Sequence, residues 1–264
     1  MKFNKNQNNY TPPSEKDGKQ FLRIKKNFRR WTTENLKKLS DKEFEEWRIV
    51  NRIGPWPDRY NKIVPWFNPT AVDFLEEWLP KNKGLKVLEF GCGGTTMYTS
   101  DFTDNMISID HHTHQSIDNT EYNGKCHCEH YCELEQVRCG KARIKKIKLY
   151  MSVVKPDNKL DIRLKSGKDY YETPNEFPDN HFDLIYIDGE YRKECFINSL
   201  PKLKQGGYIF LDNVRDLVLN NELVAEDIHN KLLAKNINLD DESKWEMTHG
   251  VDGKNPETWW WKKL

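Results

Sequence analysis

Glu89-Phe90-Gly91-Cys92-Gly93-Gly94 sets a carboxylate two residues ahead of a run of glycines, at the end of the apolar stretch Lys86–Phe90. Glycines at such a place let a backbone approach a ligand with no Cβ in the way. The dinucleotide fingerprint G-x-G-x-x-G would begin at Gly91 and Gly93, but position 96 is Thr. Glu89 also puts negative charge where a pyrophosphate would lie, so a cationic or zwitterionic ligand fits this turn better than NAD. Asp110 ends the next apolar run, Met106-Ile107-Ser108-Ile109, 19 residues after Gly91. A carboxylate there can accept both hydrogen bonds of a ribose diol; an Asp opening a loop also caps turns. Taken together, acid, glycines and second acid point to a nucleoside with a positive group nearby.

Cysteine chemistry is concentrated in one stretch. Cys126, Cys128, Cys132 and Cys139 fall within 14 residues, with His111, His112, His114, His127 and His130 close by. Four thiolates could hold a structural Zn²⁺, although the spacing is not a C-x₂-C pair. A disulfide suits an oxidising compartment, and unligated thiols are the third reading. Arg143, Lys145, Lys146 and Lys148 follow and could receive an anionic acceptor or form a solvated face.

These residues must be positioned by secondary structure, and the pattern is legible. Short apolar runs at Lys86–Phe90, Met106–Ile109, Leu160–Leu164, Phe182–Ile187 and Tyr208–Leu211 read as strands. Helical stretches are expected at Thr70–Leu79, Glu190–Leu203 and Glu222–Leu233. Strands alternating with helices imply a doubly wound α/β fold with a parallel sheet, whose ligands bind at the carboxyl ends of the strands. Lys244–Thr248 and Thr258–Trp261 flank a turn-rich segment and read as a closing antiparallel hairpin, with Trp259-Trp260-Trp261 packing on both faces. About 50 residues separate Asp110 from the third strand, so residues 112–157 read as an insertion.

Charge and composition narrow the classes. The chain has 42 Lys and Arg against 41 Asp and Glu, a net +1, which gives no global field for nucleic acid or membrane. Residues 1–38 nevertheless hold 11 basic and 3 acidic side chains. This basic arm reads as a flexible, solubilising segment or as a contact for RNA or an acidic partner. Ser40 with Glu43 forms a capping box opening a helix. No apolar run reaches the ~18–20 residues of a membrane span, and the first residues lack a secretory signal's apolar core. A cytoplasmic protein is expected, with residues 1–60 as an extension and 61–264 as the main domain.

Four ordered motifs resemble those of the class I S-adenosylmethionine-dependent methyltransferases. Val87-Leu88-Glu89-Phe90-Gly91-Cys92-Gly93-Gly94-Thr95-Thr96 looks like the first motif and Ser108-Ile109-Asp110 like the second. Phe182-Asp183-Leu184-Ile185-Tyr186-Ile187-Asp188-Gly189 looks like the fourth-strand motif, and Leu203–Asn213 like the fifth-strand block. The resemblance spans roughly residues 62–264. It implies a seven-stranded sheet ending in the reversed hairpin and S-adenosylmethionine as cofactor. Glu89, Gly91 and Gly93 would hold the methionine part, Asp110 the ribose, and Ser166, Gly167, Lys168 and Asp169 would lie near the adenine. Asp188 would border the same site.

For methyl transfer the protein must align an acceptor and remove its proton. Asp188, Tyr191, Arg192 and Lys193 are the candidates, with Glu190 beside them. Asp188, Asp212 and Asn213 are similar to the Mg²⁺ ligands of catechol-type O-methyltransferases and could lower an acceptor hydroxyl's pKa; they serve equally as loop anchors. Those enzymes have Lys three residues after the first Asp, and here that position is Tyr191. The local wording is closer to a group linked to sugar, glycan or small-metabolite methylation. An Asn-Pro-Pro-aromatic signature of amino-group methylation is absent from the chain, which favours oxygen. The expected function is O-methylation of a small molecule or sugar. Its rivals are an RNA or protein methyltransferase using the basic arm, and a non-catalytic nucleoside-binding module.

Overall fold

Strand β1 (Lys86–Phe90) buries its last four residues, and a strand buried on both faces belongs inside a parallel sheet. It lies between β2 (Asn105–His111) and β6 (Phe182–Ile187), parallel to both. The computed structural model describes residues 32–50, 63, 65, 67–111, 114–116, 137–214, 222–250 and 258–264. Chain contacts divide it into two units, residues 67–92, 99–111 and 159–264, and residues 1–66, 93–98 and 112–158.

The first unit holds a seven-stranded sheet. With β5 (Asp161–Lys165), β7 (Leu203–Leu211), β8 (Trp245–Gly250) and β9 (Thr258–Lys263), its order is β5-β2-β1-β6-β7-β9-β8. The first five strands are parallel, whereas β9 runs antiparallel to both β7 and β8. This is the class I methyltransferase topology expected from the sequence. The order reverses between β1 and β6, which makes their carboxyl ends the switch point where such sheets take ligands.

Helix α3 (Pro69–Trp78) starts at Asn68, whose side chain accepts from the Ala71 amide at 2.9 Å. It buries Ala71, Val72 and Leu75, while Phe74 lies against Tyr208, Phe210 and Trp260. Trp260 stacks on Phe210, and Trp261 meets Phe196, so adjacent tryptophans pack on opposite faces as the alternation of a strand requires. The helix expected over Glu190–Leu203 is shorter: α7 spans Arg192–Ser199, and β7 begins at Leu203. Pro201 lacks the amide needed to continue the helix, and a single tight turn, Leu200–Lys202, intervenes. Helix α6 (Gly167–Tyr171) follows β5, and α8 (Glu222–Leu233) precedes the hairpin.

In the second unit, α1 (Thr33–Leu36) and α2 (Asp41–Val50) are separated by the expected capping box. The Ser40 amide donates to Glu43 Oε2 at 2.9 Å, and the Glu43 amide to Ser40 Oγ at 3.3 Å. Phe44 of α2 stacks on Trp47 and on Tyr150 of α5 (Gly140–Val154), which also buries Ile144, Ile147 and Met151. Helix α5 and a two-stranded ladder of β3 (His114–Ser116) and β4 (Val137–Cys139) occupy part of the stretch read as an insertion. A parallel β2-to-β5 crossover needs such a helix in its connection. Short α4 (Gly94–Thr99) follows the glycine turn.

No helix among the described residues is long and apolar enough to cross a membrane. The basic arm up to residue 31, residues 51–62, 64 and 66, and the turn-rich sequence at residues 251–257 lie outside the described residues. So do Cys126, Cys128, Cys132, His127 and His130. Cys139 stands opposite His114 in the β3/β4 register. His111, grouped with the cysteine stretch by sequence proximity, belongs instead to β2 and is buried.

Candidate active site

The ladder hydrogen bonds run one residue past the strand ends and draw the site together. The Gly91 amide donates to Ile109 O at 2.8 Å, that of Asp188 to Phe90 O at 2.9 Å, and that of Asp212 to Ile187 O at 3.0 Å. Gly91 has φ +97, and a Cβ built on it would stand 2.4 Å from the Asp188 carbonyl oxygen. Only glycine satisfies both demands. Gly93 differs: its φ is ordinary, and a Cβ there would meet nothing within 4 Å. Its amide donates to Thr96 Oγ1 at 2.8 Å. The open space beside Gly93 is what a ligand cradle requires.

Glu89 is 0% exposed and accepts a short hydrogen bond from the Ser108 hydroxyl. The two residues are direct partners in the β1/β2 register. Ser108 Oγ also lies 3.0 Å from Cys92 Sγ. Sequence reading placed Ser108 in a motif without giving it a role; its signal was one polar residue in an otherwise apolar run. Asp110 is buried at the end of β2, and its Oδ1 accepts from the His111 amide at 2.9 Å. Gly167, at φ +53, donates its amide to His111 Nε2 at 3.3 Å, which ties the turn after β5 to the residue following Asp110. Ser166 precedes it in extended conformation without capping α6. Lys168 points outward and pairs with Glu172 at 3.5 Å, and Asp169 sits exposed in the first turn of α6. The backbone at 166–167 therefore reaches the site; the Lys168 side chain does not.

On the other side of the switch point, Arg192 Nη2 donates to Asp188 Oδ1 at 3.0 Å. Asp212 is buried, accepts from the Thr258 hydroxyl at 2.5 Å and shares a side-chain hydrogen bond with Asp188. Burial, then the Asp212 charge, pushes the Asp188 carboxyl well above the usual range; Arg192 opposes this and Glu89 adds to it. Burial raises Asp212 to about 6 against the opposing Thr258 hydrogen bond. Two carboxyls so placed hold a proton between them. Tyr191 opens α7 at φ +49 and is 44% exposed, and Lys193 pairs with Glu194 at 3.6 Å. Lys193 is thus turned to its neighbour, while Asp188, Arg192 and Asp212 form one charged cluster.

The donor set fits S-adenosylmethionine. A buried carboxylate, Asp110, lies near the end of β2, and the carboxyl groups Glu89, Asp188 and Asp212 favour a cation. It does not fit Mg²⁺. The Arg192 guanidinium already stands on Asp188, and Asp188 and Asp212 hydrogen-bond each other, so a cation occupies the place where Mg²⁺ would need free carboxylate oxygens. Asn213, at φ +55, turns the chain in the left-handed region that Asn tolerates. Among the described residues no three His, Cys, Asp or Glu side chains form a metal-holding group. Turnover is accordingly expected to persist in excess chelator. Loss of turnover in chelator with recovery on adding Mg²⁺ would contradict this.

No family model and no curated protein matches the chain. Among solved structures it is similar to a protein assigned as a caffeoyl-CoA O-methyltransferase from Staphylococcus aureus. That likeness has 16% identity and TM-score 0.46, covering 94% of this chain and 99% of that one. An O-methyltransferase from Bacillus cereus, solved with S-adenosylhomocysteine, shares 15% identity at TM-score 0.42, over 95% and 91%. An rRNA methylase from Streptococcus thermophilus shares 9% at TM-score 0.44, over 74% and 96%.

Proposed function

We propose that the chain is an S-adenosylmethionine-dependent methyltransferase acting on oxygen of a small-molecule or sugar acceptor. The observation that carries this reading is the set of carboxyl groups beside the glycine turn. Burial is the main cause of the raised Asp188 pKa; the Asp212 charge comes next and outweighs Arg192, and Glu89 adds to it, so the field there is negative. Such a field opposes a diphosphate and favours a sulfonium and an ammonium. When bound, S-adenosylmethionine supplies a methyl group already activated by positive sulfur. The chain then has to hold the nucleoside, exclude water and take one proton. Asp110 is placed for the ribose diol. The ionised member of the Asp188–Asp212 pair, held beside Arg192, is the group that would receive the acceptor hydroxyl's proton as oxygen attacks. Release of S-adenosylhomocysteine over a panel of hydroxyl-bearing acceptors tests the reading. Methylation of amines alone would overturn the choice of oxygen, and binding without turnover on any acceptor would leave a nucleoside-binding module.

A second reading has one observation in its favour. The unit comprising residues 1–66, 93–98 and 112–158 holds 24 basic and 14 acidic side chains, and the other unit holds 18 and 27. A basic unit of this kind suits an RNA acceptor. It requires RNA binding that weakens steeply with salt and is lost when residues 1–38 are deleted.

The Asp188–Asp212 carboxyl pair also has a consequence for stability. A carboxyl whose pKa is raised by folding favours the folded state below the ordinary carboxylate range. That contribution is lost as pH rises through the folded value, here from about 4 to about 6 for Asp212. Relative to Asp212→Asn, which keeps an acceptor for Thr258, the ligand-free wild type should lose on the order of 2–3 kcal/mol across that window. Urea unfolding at a series of pH values reads this difference. A difference that stays flat or grows with pH would contradict the shared-proton arrangement.

A further inference from the structure

Tyr191 occupies a position that disfavours it on three counts. It holds φ +49 and ψ +39, the left-handed region that a bulky aromatic side chain enters only at a cost. It stands at the N-cap of α7, yet its side chain makes no capping hydrogen bond where Asn, Asp or Ser would. It also leaves a large ring 44% exposed. The ring is nevertheless fixed. Its centroid lies 5.1 Å from that of His111, near edge-on, and 5.4 Å from that of Tyr171. His111 is itself held edge-on to Tyr170 at 5.2 Å and receives the Gly167 amide. A strained, exposed and braced ring costs stability without serving the core, and strain of this kind gathers at ligand sites.

Its neighbours identify the ligand group. His111 directly follows Asp110, the carboxylate assigned to the ribose, and also accepts from the Gly167 amide in the turn after β5. A ring braced on His111 is therefore within reach of whatever is attached to that ribose. We infer that Tyr191 is a stacking platform for the adenine base of the bound nucleoside, rather than a participant in proton transfer. This rests on the cofactor reading above and gives the role to a residue that sequence reasoning assigned to catalysis.

The test is calorimetric titration of the full chain with S-adenosylhomocysteine and, separately, with adenosine. Thermal unfolding of each ligand-free variant accompanies it. Base stacking on an aromatic side chain is worth ~1–3 kcal/mol, so Tyr191→Ala should weaken both ligands by roughly 5- to 150-fold. Tyr191→Phe should stay within about twofold, because the ring's face and not its hydroxyl is used. Tyr191→Asn should lose affinity as Ala does and melt higher than Tyr191→Ala, since Asn tolerates the left-handed region and can cap α7. Wild type that binds S-adenosylhomocysteine while Tyr191→Ala and Tyr191→Asn bind it equally well would overturn the platform alone. Wild type that takes up neither ligand would overturn the cofactor reading and the platform with it.

Discussion

Gly91→Ala should be close to unfolding, while Gly93→Ala should fold normally. The added methyl at 91 would sit 2.4 Å from the Asp188 carbonyl oxygen and 2.7 Å from its carbon, on a backbone at φ +97. Neither neighbour is a flexible side-chain end; both are backbone of the chain leaving β6. The left-handed conformation costs an alanine ~1–2 kcal/mol, and relieving an overpacked contact a further ~1–3 kcal/mol. A loss of about 3–5 kcal/mol in urea unfolding is expected, a large share of a typical domain's stability. At Gly93 the same methyl enters open space at an ordinary φ, so stability should move by no more than about 1 kcal/mol, the helix-propensity scale. The open space is the ligand's in our reading, so Gly93→Ala should weaken cofactor binding despite folding well. Equal stability of the two variants would contradict the interlock of the β1 and β6 turns, and unaltered cofactor binding by Gly93→Ala would contradict the cradle.

Asp110→Ala should lower S-adenosylhomocysteine affinity by on the order of tenfold or more, with the fold retained. A carboxylate accepting from both hydroxyls of a ribose makes two charge-assisted hydrogen bonds, each worth ~1.5–3 kcal/mol. Its local role is smaller: Oδ1 accepts the next residue's amide, from His111. Asp110→Asn preserves that acceptor and should fold like wild type while still losing affinity. Calorimetry on both variants, with thermal unfolding as control, separates ligand binding from loop anchoring. Unchanged affinity in Asp110→Ala would remove the ribose assignment.

Much of the sheet was legible because buried parallel strands read as continuous apolar runs. Phe182–Ile187 and Lys86–Phe90 were placed to the residue, and Trp259-Trp260-Trp261 packed on both faces as alternation demands. The start of β7 was missed because Lys204-Gln205-Gly206-Gly207 carries no apolar signal; Gly206 turns at φ +78 and the register shifts there. Acid and glycine spacing singled out Glu89, Gly91, Asp110, Asp188 and Asp212, which the fold brings to the carboxyl ends of neighbouring parallel strands. Spacing could not reveal which side chains already have partners. Arg192 on Asp188, Thr258 on Asp212 and Glu172 on Lys168 are separated by 4, 46 and 4 residues, and only folding shows that these pairings redirect the roles read for Mg²⁺ and for Lys168. His111 stood next to the cysteine stretch in sequence, and only the fold shows that it ends β2 and faces Gly167.

The central claim, that the turn at residues 89–94 receives a positively charged amino-acid–nucleoside and not a diphosphate, is met most directly by parallel calorimetric titrations of wild type with S-adenosylmethionine and NAD. The account predicts one site saturated by S-adenosylmethionine and no heat of binding from NAD. Saturable uptake of NAD, with none of the sulfonium compound, would contradict it.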